Sequence, residues 1–341
     1  MDPAPDPAPD PAADPAAELA GLVDLATPFA VRAAVTLRLP ELIADGTTGL
    51  AELAKTAGAH EDSLARLLRH LVAIGLFTET EPETYGITPV SRQLLGEDHR
   101  WQRGWLDLDG PGAKMDLAYR GMLHSVRTGE SAYGAVHGVP FWDDYQRDER
   151  LRVFFGAIMA AHAWQTGPAV AAEYDWAPVR RVLDVGGGIG ALLSEVLRRH
   201  DHLQGAVLDL PPVEPETKQA LADAGLAERA QFVGGSFFDP LPGGYDVLMV
   251  SRVLTDWGDD DAVRILRRCA EAASTVLIVE VLAGEEHAKN NSSFDLQSLT
   301  LLGGRERSLE DFRALAAAAG LAVRTERTAP GGLVLIECGV G

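Results

Sequence analysis

The sequence predicts an α/β protein, with a helical N-terminal domain followed by a doubly wound, mostly parallel sheet. Three observations carry this. From Val182 onward, apolar runs of strand length alternate with helix-period segments, the pattern of strands joined by crossover helices. The first strand and helix are joined by Val182-Leu-Asp-Val-Gly-Gly-Gly-Ile-Gly190, which runs directly into the helix-period segment Ala191–His200. Before residue 176 apolar residues recur at helical spacing, with one short interruption that reads as a β-ribbon.

Bulk properties restrict the function classes. The chain has 341 residues, enough for two or three domains with buried cores. Its net charge of −20 opposes binding to phosphate backbones and anionic lipid, so nucleic acid and membrane surfaces are not expected as partners. Cys269 and Cys338 lie in apolar surroundings without metal-ligand spacing and read as free thiols of a reducing cytoplasm. No apolar run reaches the roughly 18 residues of a membrane span. No cluster of His, Cys and carboxylates has ligand spacing near the glycine turn, so no metal is expected.

Taken in order, residues 1–17 repeat Asp, Pro and Ala, which predicts a disordered tail. Residues 18–100 read as a helical, winged-helix domain. Leu19, Leu22, Val23 and Leu25 share one helix face, a second apolar helix runs from Phe29 through Leu42, and the helices Gly49–Gly58 and His60–Gly75 precede a ribbon of Leu76–Thr80 against Thr84–Thr88. A DNA-recognition reading of Arg66, Arg69 and His70 is disfavoured by Glu61 and Asp62 and by the overall charge.

Residues 101–175 read as linking and pocket helices, with a loop-rich interruption around 129–140. The last helix, about Asp148 to Tyr174, carries the stripe Phe154, Phe155, Ile158, Met159 and His162. In residues 176–341, strands are expected at Val182–Val185, Gly205–Leu208, Ala230–Val233, Val247–Val250 and Thr275–Glu280. A terminal pair near Leu321–Arg327 and Gly332–Glu337 reads as an antiparallel edge. Ser308, with Glu310 and Asp311 behind it, reads as a helix N-cap.

The glycine turn is a nucleotide-binding turn by its physics. Glycine has no Cβ and tolerates positive φ, so backbone approaches a ligand closely, and the helix N-terminus offers free N–H groups. Gly186, Gly188 and Ala191 fit the loose dinucleotide fingerprint, and Asp209 supplies an acid after the second strand. A nicotinamide dehydrogenase would share these features. The wider string sharpens the reading: Asp184, Val207-Leu-Asp-Leu-Pro211, Gly234-Gly-Ser-Phe-Phe-Asp-Pro-Leu-Pro242 and Val250-Ser-Arg-Val-Leu-Thr-Asp-Trp257. In that order they resemble the S-adenosylmethionine (SAM)-dependent small-molecule O-methyltransferases, in particular an actinobacterial natural-product branch with anthracycline-modifying members. The likeness spans most of residues 18–338.

The resemblance implies a Rossmann-like domain of the class I methyltransferase type behind a winged-helix dimerisation domain, and hence a homodimer. It implies SAM as cofactor, S-adenosylhomocysteine (SAH) as product, and a small aromatic substrate. Around the cofactor it implies Arg152 at the carboxylate, Asp184, Gly186, Gly188 and Leu210 along the turns, and Asp209 at the ribose hydroxyls. Ser236, Phe237 and Trp257 fall near the adenosine, and Ser251 near the methionine part. On the acceptor side it implies Phe155, Met159 and His162, together with Asp295 and Ser298 on the closing segment.

One departure matters for the chemistry. Much of the family has His-Asp-Trp where this chain has Thr255-Asp-Trp257, and threonine cannot serve as a general base near neutral pH. Three routes remain open: an acceptor nucleophilic enough that orientation suffices, a substitute proton acceptor among Asp256, Glu280 and Glu306, or a SAM-binding tailoring enzyme (hydroxylase, decarboxylase or pericyclase) that keeps the methyl group. Asp256 reads equally as a helix-start acid. The favoured expectation is O-methylation of an aromatic, polyketide-type secondary metabolite, driven by proximity and orientation.

Overall fold

The computed structural model describes residues 14–96, 100–283, 285–329 and 332–340, without the side chains of 100, 101 and 285–291. The chain divides into two compact units, Met1–Ala113 and Lys114–Gly341.

In the first unit α1 (Pro15–Leu22) begins inside the stretch expected to be a disordered tail. Asp14 accepts a hydrogen bond from the Ala16 N–H and proline stands at the first helical position, so residues 15–17 form the first turn of a capped helix. Residues 1–13 lie outside the described residues. The helix expected from Phe29 through Leu42 is two helices, α2 (Ala26–Thr36) and α3 (Leu39–Ala44). The break is at Arg38, which is left-handed at φ 56° and precedes Pro40 by two residues. Helices α4 (Leu50–Ala57) and α5 (Glu61–Ala73) turn at Gly58, which is left-handed. The ribbon β1 (Phe77–Glu81) and β2 (Thr84–Ile87) is antiparallel. Leu53, Leu64, Leu68, Leu71 and Phe77 close one core here. The His70 ring bonds to Thr27 Oγ1 at 3.0 Å, so it is a helix-packing histidine. Helix α6 (Arg100–Leu106) belongs to this unit, and α7 (Pro111–Asp116) spans the boundary.

The second unit opens with α8 (Met122–Thr128), α9 (Ala132–His137), α10 (Phe141–Arg147) and the long α11 (Glu149–Glu173). Helix α9 occupies the expected loop-rich interruption: Ser131 caps it by accepting from the Tyr133 N–H, and Gly138 ends it in the left-handed conformation. There follow β3 (Arg181–Val185), α12 (Ala191–Arg199), β4 (Gln204–Asp209), α13 (Glu214–Asp223), β5 (Ala230–Gly234), β6 (Val247–Ser251), α14 (Asp259–Ala272), β7 (Thr275–Val281), α15 (Glu285–Leu302), α16 (Leu309–Ala318), β8 (Leu321–Thr328) and β9 (Leu333–Val340).

The seven strands lie in the order β5-β4-β3-β6-β7-β9-β8. β3 to β7 are parallel, and β9 runs antiparallel to both β7 and β8. Alternate residues of each strand enter opposite cores. Leu183 and Val185 pack with α14 and α16 residues such as Ile265 and Phe312, while Val182 packs with α11 and α12 residues such as Val170 and Leu193. Strand order reverses between β3 and β6, which opens the ligand crevice of such sheets beyond their carboxyl ends. Ser308 caps α16 in a full capping box with Asp311.

Candidate active site

The glycine turn after β3 is built by three left-handed residues, Gly186, Gly188 and Gly190, at φ 70°, 55° and 77°. A Cβ at Gly186 would stand 2.8 Å from Val253 Cγ2, so only glycine fits between this turn and the segment after β6. The turn is tied to β4: the Gly186 N–H donates to the Leu208 carbonyl at 2.8 Å, and the Gly188 N–H donates to Asp209 Oδ2 at 2.7 Å.

Asp209, ending β4, accepts the Leu210 N–H at 2.7 Å with its other oxygen. Each carboxylate oxygen thus holds one backbone donor and has a further lone pair for a ligand hydroxyl. Burial raises the Asp209 carboxyl, and the two N–H groups oppose that. Asp184, on the neighbouring strand, is buried with Oδ2 unpartnered among the described residues; burial and the nearby Asp209 push it up to about 7.

Arg152 pairs with Glu216 Oε1 at 3.2 Å, and Glu216 Oε2 is buried without a partner among the described residues. Ser236 accepts the Phe238 N–H at 3.2 Å, which shapes the turn after β5. Phe237 meets Trp257 edge-on at 5.8 Å between ring centroids, and Trp142 lies parallel to Trp257 at 5.9 Å. Trp142, Phe141 and Tyr145 from α10 also pack edge-to-face around Phe155 of α11. One turn on from Phe155, Met159 is half-buried, and His162 beyond it is open to solvent on one side. Crowding by protein and the Arg252 guanidinium hold the His162 imidazole below the usual histidine value.

The segment after β6 departs from regular structure. Ser251 ends the strand half-buried, Arg252 adopts φ 55°, and Leu254–Asp256 form a single 3-10 turn. The Thr255 hydroxyl donates to the Arg305 carbonyl at 3.3 Å. Helix α14 starts at Asp259 with Gly258 as its cap, so the helix-start role falls to Asp259–Asp261 and not to Asp256. Burial and Glu280 push the Asp256 carboxyl up to about 7 against the pull of Arg252. Glu280, fully buried on β7, pairs with Arg252 at 3.2 Å; burial raises its carboxyl and Arg252 opposes.

A strap, residues 303–307, lies across this turn. The Gly304 N–H donates to the Ser298 carbonyl, and a Cβ there would collide with the Thr255 carbonyl. The Glu306 N–H donates to exposed Asp295 at 2.7 Å. Arg307 is buried and donates to the carbonyls of Leu254 at 2.5 Å and Trp257 at 2.7 Å, and to Asp259 at 2.8 Å.

The structure therefore gathers Asp184, Gly186, Gly188, Asp209 and Leu210 around one turn. It links Phe155 through Trp142 to Trp257 and Phe237, and sets Asp295, Ser298 and Glu306 on the strap and the helix before it. Sequence reasoning missed Glu216, Arg252 and Arg307, each a single charged residue whose partners lie far away in the chain. Trp142 and Tyr145 carried a visible signal, the dense aromatic run Phe141-Trp-Asp-Asp-Tyr145.

Two family models match the chain: an O-methyltransferase dimerisation domain over residues 22–97 and an O-methyltransferase domain over residues 119–322. A 2,7-dihydroxy-5-methyl-1-naphthoate 7-O-methyltransferase of Streptomyces carzinostaticus is 48% identical over 309 residues, covering 90% of this chain and 92% of the relative. Aclacinomycin 10-hydroxylase RdmB of Streptomyces purpurascens is 39% identical, covering 91% and 85%. Among solved structures, the neocarzinostatin-biosynthesis O-methyltransferase NcsB1, in complex with SAM and 2-hydroxy-5-methyl naphthoic acid, superimposes with a TM-score of 0.87 at 46% identity, covering 95% of this chain and 98% of that one.

Proposed function

The chain belongs to the SAM-dependent O-methyltransferase family, and we propose that it methylates a hydroxyl of a fused-ring, polyketide-type aromatic, with Asp256 taking the hydroxyl proton. The enzyme is a homodimer through its dimerisation domain. Leu19, Leu22, Val23, Leu25 and Phe29 on α1, α2 and their connection expose apolar surface suited to such an interface. Cys269 and Cys338 are buried free thiols, which fits a reducing compartment, and we assign the enzyme to the cytoplasm.

SAM supplies an electrophilic methyl group on a sulfonium sulfur. The protein's part is to hold the reactants in line, a contribution worth up to about 7–11 kcal/mol in favourable cases. Asp209 would accept hydrogen bonds from the ribose hydroxyls with the lone pairs its backbone donors leave over. Arg152, now paired with Glu216, would hold the cofactor carboxylate. Asp184 and the backbone of Gly186, Gly188 and Leu210 would shape the cradle, Ser236, Phe237 and Trp257 would hold the adenosine, and Ser251 would border the methionine chain. Phe155, Met159 and His162 wall the aromatic acceptor, while Asp295, Ser298 and Glu306 close over it.

Asp256 carries the proton assignment. A carboxyl raised to about 7 is matched to accepting a phenolic proton near neutral pH as the oxygen takes the methyl group. Thr255 has no such role, since its hydroxyl is committed to the Arg305 carbonyl.

The sign of the pH effect follows. Below about 7 Asp256 is protonated and cannot accept, so kcat/KM should fall tenfold per pH unit on the acid side and level off above about 7. Asp256→Asn should lower kcat by about 10²–10³-fold and erase that step. Thr255→Val should change kcat by less than about threefold, the loss of one modest hydrogen bond. Steady-state kinetics from pH 5 to 9 (roughly the range spanning the step) check both, and an Asp256→Asn enzyme that keeps the rate and the step contradicts the assignment.

A further inference from the structure

We propose that Arg252 is a specificity-determining residue that binds an anionic oxygen of the acceptor, a carboxylate beside the methylated ring, so that the preferred substrate class is aromatic hydroxy acids. The proposal deepens the aromatic methyl-transfer reading and rests on it.

Its first support is the backbone. Arg252 holds φ 55°, the left-handed region that is strained for a residue with a Cβ, and its N–H is tied to the Val279 carbonyl at 3.0 Å. The residue sits directly after Ser251, at the carboxyl end of β6 beside the point where strand order reverses.

Its second support is the state of the side chain. Nη1 donates to Glu280 at 3.2 Å, and the guanidinium has no other side-chain partner among the described residues. Glu280 is fully buried while the Arg252 side chain is 38% exposed. The arginine is therefore anchored from behind and open in front. Guanidinium presents five donors in a planar fork suited to a carboxylate. The other cations around the site are engaged: Arg152 with Glu216, Lys114 with Asp144 and Asp148, and Arg307 with the turn it holds.

Its third support is position. Arg252 stands between Ser251 at the end of β6 and the 3-10 turn that carries Asp256, and its charge acts on Asp256 and on His162, one turn beyond Met159 on α11. The titratable groups its charge acts on are His162, Asp256 and Glu280. Among the described residues only the Glu280 side chain lies within hydrogen-bond distance of the guanidinium, so the fork retains donors for an incoming anion.

The test uses the SAH-saturated full-length dimer, which cannot turn over, and calorimetric titration with a hydroxynaphthoate and with the naphthol lacking its carboxylate. Wild type should bind the hydroxynaphthoate about 100-fold more tightly, which corresponds to about 2.8 kcal/mol, as charge-assisted hydrogen bonds to the carboxylate would give. Arg252→Met should bring the two ligands within about threefold, and Arg252→Lys, which keeps the charge without the fork, should retain about tenfold. SAH affinity of each variant verifies a folded site, and the lysine variant serves if the methionine variant does not fold. Equal binding of both ligands by wild type overturns the Arg252 assignment and leaves aromatic methyl transfer standing. So does an Arg252→Met protein that weakens both ligands alike and keeps the preference, which is what a purely structural role would give. Binding of neither aromatic overturns the acceptor class and this inference together.

Discussion

Asp209→Ala is expected to weaken SAM binding by about 10²–10⁴-fold, from two hydrogen bonds to a charged group at roughly 1.5–3 kcal/mol each. The structure separates this effect from folding. Asp209 holds the Gly188 and Leu210 N–H groups at 2.7 Å each, so alanine loosens the glycine turn as well as removing the proposed ribose acceptor. The carboxyl is nevertheless raised by burial, so the ligand-free protein already carries a cost for its charge, and removing it offsets part of the lost hydrogen bonds. Isothermal titration with SAM and thermal unfolding of the ligand-free protein should therefore diverge: a large loss of affinity with a small change in unfolding temperature. Asp209→Asn, which keeps one acceptor oxygen, should fall between. Wild-type affinity in the alanine variant would remove Asp209 from the cofactor site.

Arg307→Met is expected to be the most damaging change to the acceptor side. The guanidinium is fully buried and serves the carbonyls of Leu254 and Trp257 and the carboxylate of Asp259. Methionine fills the space but leaves the Trp257 carbonyl without a donor among the described residues and the Leu254 carbonyl with only the Trp257 N–H at 3.3 Å, at a cost on the order of 2–4 kcal/mol. Asp259 is half-exposed, and its ion pair adds little once solvent screening is considered. The same turn carries Asp256 and Trp257, and a shift of about 1 Å there is enough to cost about 10²-fold in rate. Differential scanning calorimetry should show the stability loss, and kcat should fall with SAM affinity changing less. Arg307→Lys should not rescue, because a single ammonium cannot reach three acceptors arranged for a fork. A variant with wild-type stability and rate would show that the strap does not position the turn.

The sheet was legible because its signals are local. Strand-length apolar runs, the glycine turn and the cap at Ser308 each depend on neighbours in sequence, and the strands observed lie within a few residues of those expected. Errors arose where a local competitor won: Asp14 and Pro15 start a helix inside a tail-like repeat, Arg38 breaks an apolar helix, and Ser131 caps a helix within a glycine-flanked stretch. The chemistry of the Thr255–Trp257 turn was only half legible. That Thr255 is no base follows from its side chain, whereas the proton affinity of Asp256 depends on Arg252 and on Glu280 from another strand. Arg307 was opaque for the same reason, its partners lying about 50 residues away in the chain.

The most direct measurement is a single turnover with one equivalent of SAM carrying an isotopically labelled methyl group and a hydroxynaphthoate acceptor, read by mass spectrometry. The label is expected to move to an oxygen of the aromatic product, with SAH formed in equal amount. A modified aromatic product without the label, with SAM unconsumed, would contradict it.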